Sequence, residues 1–234
     1  MAGDLAGGAG HEPGARGRTR GGRPVTTLLV IAKEPVPGRV KTRLTPPYTP
    51  REAARLAEAA LTDTLLAVLA APARRRVLVL DGSPGPWAPP GIEVVPQSGG
   101  GLDERLAAAF GLCTGPALLV GMDTPQLTAG LLGPALRPGG WRGCDAWFGP
   151  AADGGFWALG LAAPDPELLR GVPMSVPETG AAQRRRLAGA GLSVRELPLL
   201  RDVDTADDAR LVAAEAPHTR FAALVARLSG TGVR

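Results

Sequence analysis

The sequence has few of the cysteine and histidine side chains that many enzymes use as a nucleophile or general base. It contains two cysteines, Cys113 and Cys144, and two histidines, His11 and His218. The cysteines lack metal-binding spacing, which favours a reducing compartment and no disulfide. Neither histidine flanks a candidate site, which argues against Ser-His-Asp, Cys-His and His-rich zinc sites. Carboxylates, lysine, arginine and backbone N–H groups remain, and these groups suit phosphates and hard metal ions.

Long hydrophobic runs are also lacking. No apolar stretch approaches the roughly 20 residues that span a bilayer, and the first residues have no signal-peptide core. We therefore expect a cytoplasmic protein with no membrane partner. The net charge is +4, but several basic residues lie in a Gly/Arg-rich tail, residues 1–24, that we expect to be disordered. The remainder has no basic run interleaved with aromatics, so we expect no nucleic-acid partner.

Residues 25–230 alternate between strand-like and helix-like segments. The β-branched run Val25–Ala32 predicts a first, buried strand, and the apolar spacing of Pro50–Ala70 predicts a helix. Further strands are predicted at 76–80, 92–95, 117–120, 146–148, 156–161 and 192–197, and further helices at 102–112, 128–136, 181–190, 205–214 and 220–228. This order predicts one α/β domain, a Rossmann-like three-layer α/β/α arrangement around a mostly parallel sheet.

Candidate functional residues follow the predicted strands. Lys33 comes after the first strand, Asp123 after the fourth, and Asp153-Gly154-Gly155 lies between two late strands. Ligands of such sheets bind at the carboxyl ends of the strands. We therefore expect these residues to share one site.

The loop Ala32–Leu44 has the composition of a phosphate-binding loop. Two prolines and Gly38 stiffen it, and it collects four cations: Lys33, Arg39, Lys41 and Arg43. Converging cations neutralise phosphate, and arginine can bind two of its oxygens at once. A solvated basic loop is the alternative, and the sequence GxxxxGK[ST] of a Walker A loop is absent.

Several motifs in order give the chain a family resemblance. They are AKEPVPGRVKTRL at 32–44, GLDERL at 101–106, GMDTPQL at 121–127, GPAADGGFWALGL at 149–161, PMSVPETG at 173–180 and RDVDTADD at 201–208. With these motifs the chain resembles the GT-A-like nucleotide-diphospho-sugar transferase superfamily, and within it the bacterial family DUF2064 (transferase 1-like glycosyltransferases).

The resemblance implies a divalent metal, Mg²⁺ or Mn²⁺, that bridges nucleotide phosphates. Asp123 matches the first metal ligand of such proteins, and Asp204 the second. Two alternatives stay open from the residues alone. Asp123 would equally suit a turn before Pro125, and Asp204 or Thr205 would suit the start of the following helix.

The resemblance also implies roles for the remaining motif residues. The nucleotide and its phosphates are assigned to Ala32, Lys33, Gly38, Lys41, Arg43, Gly99, Gly100 and Arg105. Lys41 and Arg43 would stabilise the departing group, and Asp153 would orient or deprotonate an acceptor. Gly154, Gly155 and Trp157 are assigned to the acceptor side, with a glycine turn and core packing as the alternatives.

Three functions are compatible with these residues. The first is transfer of a glycosyl group from an NDP-sugar to a small acceptor. The second is nucleotidyl transfer from a nucleoside triphosphate, because K-T-R-L resembles the K-S-R-L of phospholactate guanylyltransferases; cytidylyl transfer belongs to the same class. The third is a non-catalytic nucleotide-binding module.

Overall fold

The computed structural model describes residues 26–230. Seven strands form its sheet: β1 (Thr27–Lys33), β2 (Arg75–Asp81), β3 (Glu93–Pro96), β4 (Ala117–Val120), β5 (Ala146–Pro150), β6 (Phe156–Leu161) and β7 (Val194–Glu196). Each strand falls on a segment that the sequence predicted as a strand, with ends differing by a few residues. The predicted tail 1–24 and Val25 lie outside the described residues.

The sheet is mostly parallel, as predicted, with the strand order β3-β2-β1-β4-β6-β5-β7. Strands β1 to β4 pair in parallel with one another, and β7 runs parallel to β5. Strand β6 is antiparallel to both of its neighbours, β4 and β5. The five residues 151–155 between β5 and β6 are too few for a crossover, so this pair must be a hairpin.

The described residues form six α-helices: α1 (Pro50–Ala70), α2 (Leu102–Gly111), α3 (Ala129–Leu136), α4 (Thr179–Gly189), α5 (Ala206–Glu215) and α6 (Arg220–Gly230). Helix α6 packs against α1 and α5 rather than on the strands. All six were predicted. The side chains of Thr49, Thr128 and Thr205 cap α1, α3 and α5 by accepting a backbone N–H. None of the helices within residues 26–230 combines the length and apolarity that crossing a membrane requires.

The core has a layer on each face of the sheet because successive strand residues point to opposite faces. Leu28 and Val30 of β1 belong to a cluster with Leu61 of α1, whereas Leu29 belongs to another with Phe110 of α2. All of these side chains are fully buried. The predicted single three-layer α/β domain is therefore confirmed.

Candidate functional site

The sequence-predicted residues meet at one edge of the sheet. Strands β1 to β4 end at this edge, and the hairpin places the end of β5 and the start of β6 there too. Asp123 follows β4, and Asp153 lies in the β5–β6 turn. The chain then returns to the same edge after β7.

Three hydrogen bonds fix the segment after β7, residues 200–204, across this edge. The N–H of Ala152 donates to the Leu200 carbonyl at 2.9 Å, and that of Val203 donates to the Asp123 carbonyl at 2.9 Å. Between them, the side-chain amide of Gln126 donates to the Arg201 carbonyl at 2.6 Å. The segment is thereby tied to both the β5–β6 turn and the β4 loop.

This bracing produces a cluster of three carboxylates. One oxygen from each of Asp153, Asp202 and Asp204 lies within 4.8 Å of the others. Val203 between the last two is buried, so the two aspartates share the outer side of an extended segment. Such an arrangement of oxygen donors fits a hard divalent cation.

Asp202 is a member of the site that the sequence interpretation missed. Its signal was present, because the alternation of Asp202, buried Val203 and Asp204 is that of an extended segment with one polar side. Burial and the neighbouring charges of Asp153 and Asp204 raise the pKa of Asp202 to about 6. The carboxylates therefore repel one another at neutral pH.

A lysine joins this cluster to Asp123. The Nζ of Lys41 lies 2.8 Å from Oδ1 of Asp123 and 3.0 Å from Oδ1 of Asp204. Its side chain is 8% exposed. Burial opposes the ammonium charge, but Asp123 and Asp204 outweigh burial and hold the pKa of Lys41 above its ordinary value. Lys41 is thus a buried cation shared by two carboxylates.

The helix-cap alternative for Asp204 can now be compared with the geometry. Thr205, not Asp204, caps α5, and Asp208 completes the capping box. Asp204 instead accepts from Lys41, and its Oδ2 lies 3.6 Å from Arg43 NH1. Arg43 is largely exposed, so it borders the cluster from the solvent side.

The acceptor-side residues have a more structural placement. Gly154 adopts φ +90°, and a Cβ on it would lie 2.1 Å from the Pro177 carbonyl oxygen. The N–H of Gly180 donates to the Gly154 carbonyl at 2.8 Å, while the N–H of Gly155 donates to Asp153 at 2.8 Å. The close approach that these glycines permit is therefore to the start of α4.

Trp157 is part of the core. Its side chain is buried, and its indole N–H donates to the Pro198 carbonyl at 3.0 Å. The geometry thus favours the core-packing alternative over an acceptor-facing ring.

A second group of predicted residues lies at the ends of β1, β2 and β3. The Gln97 amide donates to the carbonyls of Ala32 at 2.7 Å and Val79 at 3.1 Å. Arg105 donates to the Gln97 side-chain oxygen at 3.2 Å and lies 3.8 Å from Asp81. Gln97 was not predicted, and it ties Arg105 to the end of β1.

The remaining predicted nucleotide residues lie beside these groups, at the end of β1 and in two loops. Lys33 is exposed at the end of β1, and Gly38, with φ +77°, is exposed in the loop that leads to Lys41. Gly99 and Gly100 are exposed in the turn before α2, where Gly100 has φ +96°. These positions leave backbone accessible at the edge of the sheet.

A family model now places the chain. The model described as "Uncharacterized protein conserved in bacteria (DUF2064)" matches residues 53–176. The chain belongs to the DUF2064 family. This confirms the family resemblance read from the motifs, most of which lie in or beside the matched range. None of the curated proteins matches the sequence.

Solved structures share the fold of this DUF2064 chain. A protein from Desulfovibrio desulfuricans G20, provisionally named a nucleotide-diphospho-sugar transferase, is 25% identical with a TM-score of 0.78; the alignment covers 88% of this chain and 95% of that one. The protein Rv0371C of Mycobacterium tuberculosis, in complex with manganese, is 20% identical with a TM-score of 0.51, covering 80% and 98%. The predicted GT-A-like fold is confirmed.

Proposed function

We propose that this DUF2064 protein is a divalent-metal-dependent transferase that moves a glycosyl group from a nucleoside-diphosphate sugar to a small acceptor. The observation that carries the proposal is that four carboxylates and two cations meet at the carboxyl edge of the sheet. They belong to Asp123, Asp153, Asp202, Asp204, Lys41 and Arg43. The similar Desulfovibrio structure, named a nucleotide-diphospho-sugar transferase, supports it.

The carboxylates suit Mg²⁺ or Mn²⁺ because both ions prefer oxygen ligands. Asp123 and Asp204 are the proposed ligands, and Asp202, whose carboxylate lies close to that of Asp204, would extend the donor set. When bound, the ion would neutralise the diphosphate that leaves with the nucleotide. The manganese complex of the Mycobacterium protein, which has the same fold, agrees with such an ion.

The protein's own residues would do the rest of the reaction. Lys41 and Arg43 would donate to phosphate oxygens as the bond from sugar carbon to phosphate oxygen breaks and the diphosphate keeps the electron pair. Asp153, exposed in the β5–β6 turn, would accept the proton of the acceptor hydroxyl while the hydroxyl oxygen bonds to the sugar carbon. Arg105 and the Gly99-Gly100 turn would lie beside the nucleoside.

A second candidate is nucleotidyl transfer from a nucleoside triphosphate to a phosphorylated or acidic small molecule. The segment K-T-R-L at 41–44 supports it, because this segment resembles the K-S-R-L of phospholactate guanylyltransferases. The two reactions differ in product. Glycosyl transfer releases a nucleoside diphosphate, and nucleotidyl transfer releases pyrophosphate.

The test is a panel of nucleotides and NDP-sugars with Mg²⁺ or Mn²⁺, scored first by thermal shift and then by released product. We expect a metal-dependent shift with an NDP-sugar and release of the diphosphate when acceptors are added. Asp204→Asn should abolish both. Asp207→Asn, which changes an exposed aspartate in the first turn of α5, should not. Pyrophosphate release would select the second candidate, and a shift without either product would indicate a non-catalytic binding module. No shift with any nucleotide would exclude all three functions.

A further inference from the structure

Lys41 occupies the space between two proposed metal ligands. Its ammonium lies 2.8 Å from Asp123 Oδ1 and 3.0 Å from Asp204 Oδ1, and its side chain is almost completely buried. A metal ion held by both carboxylates would compete with the ammonium for these oxygens.

Asp204 has a cation at each of its two oxygens. Oδ1 accepts from Lys41, and Oδ2 lies 3.6 Å from Arg43. Asp204 also lies within 4.8 Å of Asp153 and Asp202, which adds further negative charge to the same space. Asp204 can thus gain a metal ion only by giving up or sharing one of these cationic partners.

The use of lysine at this position stands out in the composition. The chain has 26 basic residues, of which only Lys33 and Lys41 are lysines, and both lie in the same loop. An ammonium is a compact point charge, whereas guanidinium is a planar fork that fixes its partners. The ammonium is therefore a compact positive charge between two carboxylates, although their oxygens lie 2.8 and 3.0 Å from it, farther than the roughly 2.1 Å of Mg²⁺ ligands.

The backbone conformation of Lys41 is itself unfavourable. Its φ of 49° and ψ of 39° lie in the left-handed region, which is unfavourable for a residue with a side chain. The chain before it is exposed at Gly38 and Arg39. The ion pairs with the two carboxylates, together with the hydrogen bond from the Leu44 N–H to the Lys41 carbonyl at 3.0 Å, offset the cost of this conformation.

We propose that Lys41 is a resident cation that competes with the divalent metal for Asp123 and Asp204, so that metal binding releases its ammonium for the nucleotide phosphates. The inference rests on the proposed metal-dependent function. It adds that the metal-free protein keeps its carboxylates paired and that the arrival of the metal makes the phosphate-binding lysine available.

The first experiment measures Mn²⁺ affinity of the full chain without nucleotide, by titration followed with electron paramagnetic resonance. Lys41→Met removes the competing charge, and we expect Mn²⁺ to bind about tenfold more tightly. Arg39→Met is the matched control, because it removes a charge from an exposed position in the same loop. Equal or weaker binding by Lys41→Met than by the unsubstituted chain would overturn the proposal.

The second experiment uses the unsubstituted chain and does not depend on how well Lys41→Met folds. An amine-reactive ester labels lysines according to their exposure, and Lys33 serves as the internal reference. We expect Lys41 to be labelled poorly without metal and about severalfold better, relative to Lys33, with saturating Mn²⁺. A ratio that stays constant while Mn²⁺ binds would refute the exchange.

The outcomes distinguish a failure of this inference from a failure of the proposed metal-dependent function. If the unsubstituted chain and Lys41→Met bind Mn²⁺ equally, and Asp204→Asn loses binding, the competition is wrong and the metal-dependent function stands. If none of these proteins binds Mn²⁺, with or without a nucleotide, both proposals are wrong.

Discussion

Leu44 and Val203 lie in the same buried hydrophobic cluster, and each is next in the chain to charged residues of the proposed site. Leu44 ends the short 3-10 turn that follows Lys41 and contains Arg43, and Val203 separates Asp202 from Asp204. Both side chains are essentially inaccessible to solvent. The apolar cluster beneath the site therefore fixes the spacing between the cations on one side and the carboxylates on the other.

The first prediction follows from this shared cluster. Val203→Ala should cost roughly 2 kcal/mol of folding free energy, because it removes buried methyl groups. It should also weaken Mn²⁺ binding, although every proposed ligand is still present. Urea unfolding and an Mn²⁺ titration measure the two effects. Val212→Ala, in the same cluster but on α5, should lose similar stability and keep its metal affinity.

The fold could be predicted from the sequence because its signals are local. The run Thr27–Lys33 is apolar and β-branched, which indicates a strand. Thr49 and Glu52 form a capping box, which indicates the start of the helix at Pro50. The antiparallel direction of β6 was not predicted. The direction of β6 depends on whether the turn 151–155 folds back as a hairpin, and the apolar pattern of the strands carries no information on this.

The candidate site could be predicted only in part. Asp123 and Asp204 were recognised from motifs, but the lysine between them was assigned to phosphate alone. The contact between Lys41 and Asp204 joins residues 163 positions apart, and no local pattern encodes it. Asp202 had a local signal in its alternation with buried Val203, but such alternation occurs in any extended segment and does not by itself indicate a site.

The second prediction concerns the repulsion within the carboxylate cluster. Asp202→Asn should stabilise the metal-free protein by about 1 kcal/mol, because it removes one of three close negative charges in a half-buried space. This corresponds to a rise in Tm of roughly 2–4 °C, measured in EDTA. Saturating Mn²⁺ should cancel the gain, since the variant binds the ion less well. A lower Tm in EDTA would show that the three carboxylates do not repel one another as described.

The third prediction concerns the turn that carries Asp153. Gly154→Ala should cost about 3 kcal/mol or more, because the new Cβ would collide with the Pro177 carbonyl at a positive φ. The displaced turn should also weaken catalysis. Gly191→Ala is the control, since Gly191 has φ +73° but open space around it, and it should cost only about 1 kcal/mol. Equal losses of stability in thermal unfolding would contradict the close contact with Pro177.

The last prediction concerns the pH dependence of the helix start behind Asp204. Burial favours the protonated form of Asp208, but Thr205 and Arg201 outweigh burial and hold the pKa of this carboxyl below its ordinary value. The unfolded chain therefore takes up the proton first as the pH falls. The stabilising contribution is complete above the unfolded pKa of roughly 4 and disappears as the pH falls through the folded value.

At pH 6, Asp208→Asn should accordingly lower the free energy of unfolding by about 1 kcal/mol relative to the unsubstituted chain. On further acidification, the free energy of unfolding should fall less in the variant than in the unsubstituted chain. Urea midpoints at pH 6, 4 and 3 measure the difference. Asp207→Asn lies one residue away on an exposed position, so its pH profile should follow that of the unsubstituted chain. Parallel profiles for Asp208→Asn and Asp207→Asn would mean that the capping box does not hold a charged carboxylate.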